Sequence, residues 1–187
     1  KNRFLRYLLI AIYAVIFITC AIQINLFGLF GYSPTQKDIV LPKLNVASEL
    51  YTADSVLIGR YFDEDRDPVA YDSISANVIH ALIATEDIRF YKHNGIDFLG
   101  LVSGVASTLK GDPRGASTIT QQLAKNLFKT RYNQSQGYLG RIPGVSILIN
   151  KYKEWMTAYK LQSKYSKNEI ITMYLNTVLS SNNASGI

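Results

Sequence analysis

The chain has 187 residues, 48% of them hydrophobic, enough for one packed core with an appendage but not for several domains. Its single cysteine, Cys20, excludes an intrachain disulfide, and no Walker-type loop, dinucleotide glycine pattern or Cys/His zinc spacing occurs. The net charge of +6 is uneven: from Lys110 to Lys167 eleven Lys and Arg face only Asp112 and Glu154, a block suited to nucleic acid, an acidic membrane surface or a phosphorylated substrate.

Lys1, Arg3 and Arg6 precede a run from Tyr7 to Phe30 without any charge, and 24 residues exceed the ~20 that a helix needs to cross hydrocarbon. The basic flank favours the cytoplasm, so the rest of the chain is expected outside it. A cleaved signal peptide would have a shorter apolar region ending at small residues, and Phe17-Ile-Thr19 before Cys20 does not form a lipoprotein cleavage box. The organisation read from this is a cytoplasmic flank over 1–6, a transmembrane anchor over 7–30, a linker over 31–46 that opens with Gly31-Tyr-Ser-Pro34, and one domain over 47–187.

Within that domain Ala47–Tyr51 and Val56–Phe62 are short β-prone runs, followed by a charged turn from Asp63 to Pro68. Ile74, Val78, Ile79, Leu82 and Ile83 then recur at helical spacing and deliver Glu86-Asp87 to a helix C-terminus, where the dipole disfavours a carboxylate. His80 lies among apolar neighbours and reads as a packing residue. His93 precedes the Asn94-Gly95 turn and reads as structural, tying the loop to a carboxylate. A further helix is expected over Phe98–Leu109 with Leu101, Val102, Val105 and Leu109 inward.

From Ser117 the pattern predicts another helix. Ser117, Gln121 and Lys125 form one polar stripe, Thr118, Gln122 and Asn126 the next, and Ile119, Leu123 and Leu127 an apolar back. Ser117 is the expected cap, leaving first-turn N–H groups free for an anion of phosphate type; a well-capped surface helix fits the same pattern. Lys129–Gly144 reads as a long polar loop. Helical spacing resumes from Val145 to Lys164 through Leu148, Tyr152, Met156 and Tyr159. On that helix Lys151 and Glu154 share a face; by spacing alone they form a surface pair worth ~0.2–0.5 kcal/mol. Ser166-Lys-Asn-Glu169 is a capping box that opens a last helix through Ile170, Ile171, Tyr174 and Leu175. The Ser/Asn-rich end reads as a domain incomplete at its C-terminus.

These residues carry a resemblance. Glu86-Asp-Ile-Arg-Phe90-Tyr-Lys-His93-Asn-Gly95 matches E-D-x-x-F-x-x-H-x-G, the first motif of the family 51 glycosyltransferases, at every fixed position. Gly115-Ala-Ser-Thr-Ile-Thr-Gln-Gln-Leu-Ala-Lys-Asn126 matches the second. The chain therefore resembles the peptidoglycan polymerase domain of class A penicillin-binding proteins and monofunctional transglycosylases. The third motif, usually Arg-Lys-x-x-Glu, stands as Asn150-Lys151-Tyr-Lys-Glu154, with Lys153 or Arg141 as candidates for the missing charge. The fourth keeps Lys167, Ile170, Tyr174, Leu175 and Asn176 but has Thr172 in place of a common glutamate, and 179–185 diverges.

The resemblance implies a mainly α, lysozyme-like helical domain with a short N-terminal β segment behind one transmembrane helix. It implies polymerisation of lipid II into glycan strands, with inversion at C1 and loss of a polyprenyl diphosphate. Glu86 is then the base, with its pKa raised by partial burial and by Asp87, and Glu154 the second catalytic carboxylate. Ser117, Thr118, Gln121, Gln122, Lys125, Asn126 and Lys151 would bind substrate, while Asp87, Phe90, His93 and Gly95 order the loop. No cofactor is required; a divalent cation, Mg or Mn, at the diphosphate is compatible, without an assigned ligand set. The implied partners are lipid II, the growing glycan strand, the bacterial inner membrane and cell-wall synthesis proteins, with the domain on the periplasmic side and no nucleic acid. A lysozyme-like enzyme that cuts glycan with water, and an inactive membrane-anchored assembly scaffold, are the alternatives. Apolar stretches such as Phe98–Val105 or Leu127-Phe128 are candidates for membrane contact, with core packing the reading preferred for most of them.

Overall fold

The chain folds as helices with one small hairpin, and the computed structural model describes residues 2–40, 48–61, 68–112, 115–130 and 137–178. Helix α1 spans Asn2–Gln23. Residues 3–18 are exposed throughout, whereas Ala21 and Ile22 in the last turn are buried against the domain. Over Arg3–Gln23 the helix is long and apolar enough to cross a membrane, and so much exposed apolar surface is unfavourable in water.

The backbone between α1 and the stretch 31–46 is irregular. Asn25 and Phe27 adopt left-handed φ values of 49° and 52°, with Gly28 and Gly31 following at 71° and 74°. The turn is closed by the Asn25 side-chain oxygen, which accepts from the Phe30 and Gly31 N–H groups at 3.0 and 2.7 Å. Helix α2, Gln36–Val40, starts with a reciprocal cap between Thr35 and Asp38 and sets Ile39 fully into the core. The Tyr165 hydroxyl, donating to the Ile39 carbonyl at 2.8 Å, ties α2 down. The remainder of the expected linker, 41–46, lies outside the described residues.

Strands β1, Ser48–Tyr51, and β2, Leu57–Tyr61, pair antiparallel with an irregularity at Leu50/Tyr51, close to the two β-prone runs of the sequence. The charged turn beyond them falls over 63–67, outside the described residues, and the chain returns at Pro68. Val69 is then clasped at both backbone groups by the Asn176 side-chain amide, at 2.9 and 3.0 Å.

Five helices build the rest: α3 Ala76–Glu86, α4 Phe98–Leu109, α5 Ile119–Leu127, α6 Val145–Lys164 and α7 Lys167–Val178. The short α5 packs between α6 and α7. Its Ile119, Leu123 and Ala124 meet Ala158 and Leu161 of α6 and Ile170 and Ile171 of α7, with Ile79 and Phe90 completing the core. Leu127 and Phe128 pack against this cluster. The capping box at α7 forms, with Glu169 accepting from the Ser166 N–H at 2.7 Å.

Two expectations fail. In α4 the residues Val102, Val105 and Leu109 point outward with Phe98 and Leu99, and only Gly104 is buried. Phe98–Leu109 contains no charged residue, and the side turned to the domain is the stripe of small residues Gly100, Gly104 and Ser107 rather than the large apolar ones. His80, expected in packing, is exposed. The divergent end, 179–187, and residues 131–136 of the polar loop lie outside the described residues.

One glycine decides how the loop after α3 meets α6. Gly95 has φ +89°, and a β-carbon there would lie 2.7 Å from the Ala158 carbonyl oxygen. Gly95→Ala is expected to cost about 1–3 kcal/mol through the backbone conformation and the forced shift of α6. Thermal unfolding of the detergent-solubilised chain should then move down by roughly 2–4 °C per kcal/mol; an unchanged midpoint would mean that the loop is not pinned at this point.

Candidate active site

Helix α3 ends at Glu86, and Asp87 leaves the helical path with φ −158° and ψ 73°. Adjacent carboxylates therefore diverge. Asp87 is buried: its carboxylate lies 3.0 and 3.1 Å from His93 Nε2 and accepts the Ile119 N–H at 3.1 Å. Glu86 is exposed, so the partial burial expected of it is not found.

The loop between α3 and α4 is fastened to α5 and α7 from several sides. Thr118 caps α5 by accepting the Gln121 N–H at 3.2 Å and donates its hydroxyl to the Gly95 carbonyl at 2.7 Å. The Lys167 ammonium donates to the carbonyls of Phe90 and His93, at 2.5 and 2.7 Å, and stands 4.3 Å from the centre of the Phe90 ring. Burial pushes that ammonium below the ordinary lysine range, partly opposed by Asp87.

These contacts correct the sequence reading of the α5 start. The cap is Thr118, not Ser117. The Ile119 and Gln121 N–H groups are already taken, by Asp87 and Thr118, so the anion at this helix end is the protein's own Asp87. Thr118 and Gln121 are 2% and 1% exposed, and the Gln121 amide turns toward the Gly95 carbonyl at 3.4 Å, so both are taken up in the contact between loop and helix.

What remains on the outer face is a row. At its N-terminal end the Lys151 ammonium donates to Ser117 Oγ at 2.9 Å and pairs with Glu154 at 2.8 Å. Glu154 is 1% exposed, so this is not the surface pair that the spacing alone describes. One turn on, the Gln122 amide donates to the Glu86 carboxylate at 2.7 Å while its oxygen accepts the Tyr174 hydroxyl at 3.0 Å. Burial and the Glu86 charge push the Tyr174 phenol up to about 12, which keeps it a donor. Lys125 and Asn126 are half-buried and follow Gln122 at helical spacing.

The row thus has an oriented carboxylate at one end and an ammonium at the other. Lys151 carries three N–H groups and spends two on Ser117 and Glu154. Such a pair can take a proton at Glu86 while stabilising negative charge near Lys151. Lys153 and Arg141 do not supply the charge missing from the third motif: the Lys153 ammonium donates to the Phe30 carbonyl, and Arg141 lies over the Tyr138 ring. Lys167 and Tyr174, fourth-motif residues to which the sequence gave no individual role, orient the loop and Gln122.

Among the described residues, Asp87, His93 and Asp97 bring potential metal ligands within 4.8 Å of one another. They do not suit Mg or Mn. Asp97 is engaged by the Arg89 guanidinium at 2.7 Å and by the Gly100 N–H, and Asp87 holds the α5 start.

A family model described as Transglycosylase matches residues 54–187. Penicillin-binding protein 1A of Escherichia coli (strain K12) is 33% identical over 184 residues, covering 94% of this chain and 20% of that protein. Penicillin-binding protein 1A of Aquifex aeolicus (strain VF5) is 35% identical over 162 residues, covering 82% and 20%. Penicillin-binding protein 4 of Bacillus subtilis (strain 168) is 36% identical over 144 residues, covering 75% and 21%. The chain spans about a fifth of the length of these curated relatives.

Removing the Asp87 carboxylate strands the Ile119 N–H and the His93 ring in a buried place. Asp87→Ala should therefore destabilise the chain by roughly 2–4 kcal/mol in denaturant titration. A loss below about 1 kcal/mol would show that other groups hold the loop on α5.

Proposed function

The chain belongs to the transglycosylase family, and from that membership we propose that it polymerises lipid II into glycan strands as a peptidoglycan glycosyltransferase. The observation that carries the reading is the row along α5, with Glu86 held by Gln122 at one end and Lys151 held by Ser117 and Glu154 at the other.

The acceptor 4-hydroxyl attacks C1 of the donor sugar as the bond from C1 to the diphosphate oxygen breaks, with inversion to a β-1,4 link. Glu86 takes the hydroxyl proton. Exposure suits that role, because the acceptor has to reach the carboxylate, and the Gln122–Tyr174 pair fixes its direction without closing it off. The departing polyprenyl diphosphate carries growing negative charge, which Lys151 neutralises with Ser117 alongside, while Lys125 and Asn126, beyond Gln122, bind the rest of the substrate. Buried Glu154 holds Lys151 in place and is a positioning carboxylate more than a second base. A divalent cation would sit among the diphosphate oxygens rather than at the Asp87 cluster, and no step depends on it.

The apolar length of helix α1 supports an anchor, and Arg3 and Arg6 at its start favour the cytoplasmic side, which supports a site at the outer face of the bacterial inner membrane. The substrate's lipid stays in that bilayer, and the outward apolar face of α4 suits contact with it. Cell-wall synthesis proteins are the fitting partners. Glycan cleavage by water would leave the ammonium row without a purpose, and an inactive scaffold would not need Glu86 oriented.

Glu86→Gln keeps an acceptor for the Gln122 amide and removes only the base. It should lower polymer formation from purified lipid-linked precursor by about 10²–10⁴-fold while leaving precursor binding intact. Polymerisation within about tenfold of the unsubstituted chain would take the base role away from Glu86.

A further inference from the structure

Residues 23–34 form a collar between the apolar helix and the domain, and its backbone is irregular, with left-handed φ at Asn25, Phe27, Gly28 and Gly31. Irregular backbone turns carbonyls toward the protein that no helix or sheet can satisfy. Two lysines of α6 satisfy them. The Lys153 side chain is fully buried and donates to the Phe30 carbonyl at 2.5 Å. Lys160 donates to the Pro34 carbonyl at 2.8 Å and to the Gln23 side-chain oxygen at 3.0 Å. On the collar's other side the Tyr138 and Leu139 N–H groups donate to the carbonyls of Gly28 and Leu29, at 3.3 and 2.9 Å. Gly137 lies so close to the Leu29 and Gly31 backbone that a β-carbon would not fit.

The same helix carries the Lys151 and Glu154 side chains of the α5 row. At about 100° per residue, Lys153 projects about 200° around α6 from Lys151, while Lys153 and Lys160 fall on one stripe about 10 Å apart along the axis. Lys151 on one side of a stiff helix therefore faces the site, Lys153 and Lys160 on the other side grip the collar at two points, and Glu154, about 100° from Lys153, lies between them. Two points fix tilt as well as distance. The grip is costly: burial pushes the Lys153 ammonium down to about 8. An apolar side chain would avoid that cost but could not satisfy the Phe30 carbonyl.

We propose that Lys153 and Lys160 are positioning residues that lock the membrane anchor to the helix bearing Lys151 and Glu154, holding the site at a fixed height and tilt for a substrate embedded in the same bilayer. This rests on the glycosyltransferase reading and on α1 as the anchor. Neither lysine touches substrate; each acts through α6. A rigid mount contributes because reacting groups must meet in a narrow geometry, and displacement of ~1 Å can cost ~10²-fold in rate.

The test uses the full chain with Lys153→Met and Lys160→Met, singly and together, in lipid vesicles that contain the lipid-linked precursor and in detergent micelles that contain the same precursor. In micelles the substrate follows the protein, so the mount no longer matters. The double variant should lose at least about tenfold in kcat in vesicles while its rate in micelles stays close to that of the unsubstituted chain, and Lys160→Arg should recover most of the loss due to Lys160→Met. Equal losses in both settings, or no loss in vesicles, would overturn the proposal. A second measurement is independent of activity. Spin labels at Cys20, the chain's single cysteine and exposed, and at Ser163→Cys on α6 report the distance between anchor and site helix. The distribution should be narrow in the otherwise unsubstituted chain and broad in the double variant; a distribution equally narrow in both would also overturn the lock. If the unsubstituted chain makes no polymer in either setting, the glycosyltransferase reading fails, and the distance distributions still decide whether the lysines hold the collar.

Discussion

A single buried carboxylate, that of Asp87, joins the parts on which the site depends. It ends α3, receives the first N–H of α5 and holds the His93 ring, so three segments meet on two oxygens. Because Asp87 turns inward, its neighbour Glu86 is forced outward over α5 and into reach of Gln122. The charge that a helix N-terminus attracts is therefore supplied from within the chain, and the polar face of α5 is left for other partners. Phe90 and Lys167 then seal the loop from below, with an ammonium serving three acceptors where a backbone turn could not.

Much of this was legible in the sequence. The helix limits of α3 and α4, the hairpin and the α7 capping box followed from spacing and capping residues, and the two long motifs pointed to Glu86, Asp87 and the α5 face. What failed did so for identifiable reasons. The α5 cap slipped by one residue because Ser117 and Thr118 are equally good cap residues, and only the position of the Gly95 carbonyl and Asp87 chooses between them. Gln121 looked like part of a polar front, yet it is buried, its amide nitrogen turned to a loop carbonyl that a sequence does not show. In α4 the small residues Gly100, Gly104 and Ser107, not the large apolar ones, turn to the domain. In α6 the series Leu148, Tyr152, Met156 and Tyr159 gave the helix, but the side it buries runs through Asn150, Lys153, Glu154, Thr157 and Leu161, with charged groups in it.

That buried cation also changes how the charge of the chain should be understood. The basic block from Lys110 to Lys167 suggested a polyanion-binding surface, but Lys153, Lys160 and Lys167 each donate to the chain's own carbonyls. Three of the eleven basic residues in the block are thus structural, and the attraction that a ligand meets comes from the others, Lys151 and Lys125 beside the site among them. Formal net charge overstates the field that a substrate meets.

The burial of Ala21 and Ile22 has a practical consequence. The border between membrane segment and domain passes through the last turn of α1, upstream of the point where hydropathy falls. A soluble form trimmed at the end of the apolar run, Phe30, would lose both core residues, the Phe30 carbonyl that accepts from Lys153 and the Gln23 oxygen that accepts from Lys160, keeping only the Pro34 end of that grip. A form trimmed earlier, near Thr19, would keep these contacts but also a greasy stump. Expression of this domain without detergent is therefore a choice between an unstable protein and a sticky one.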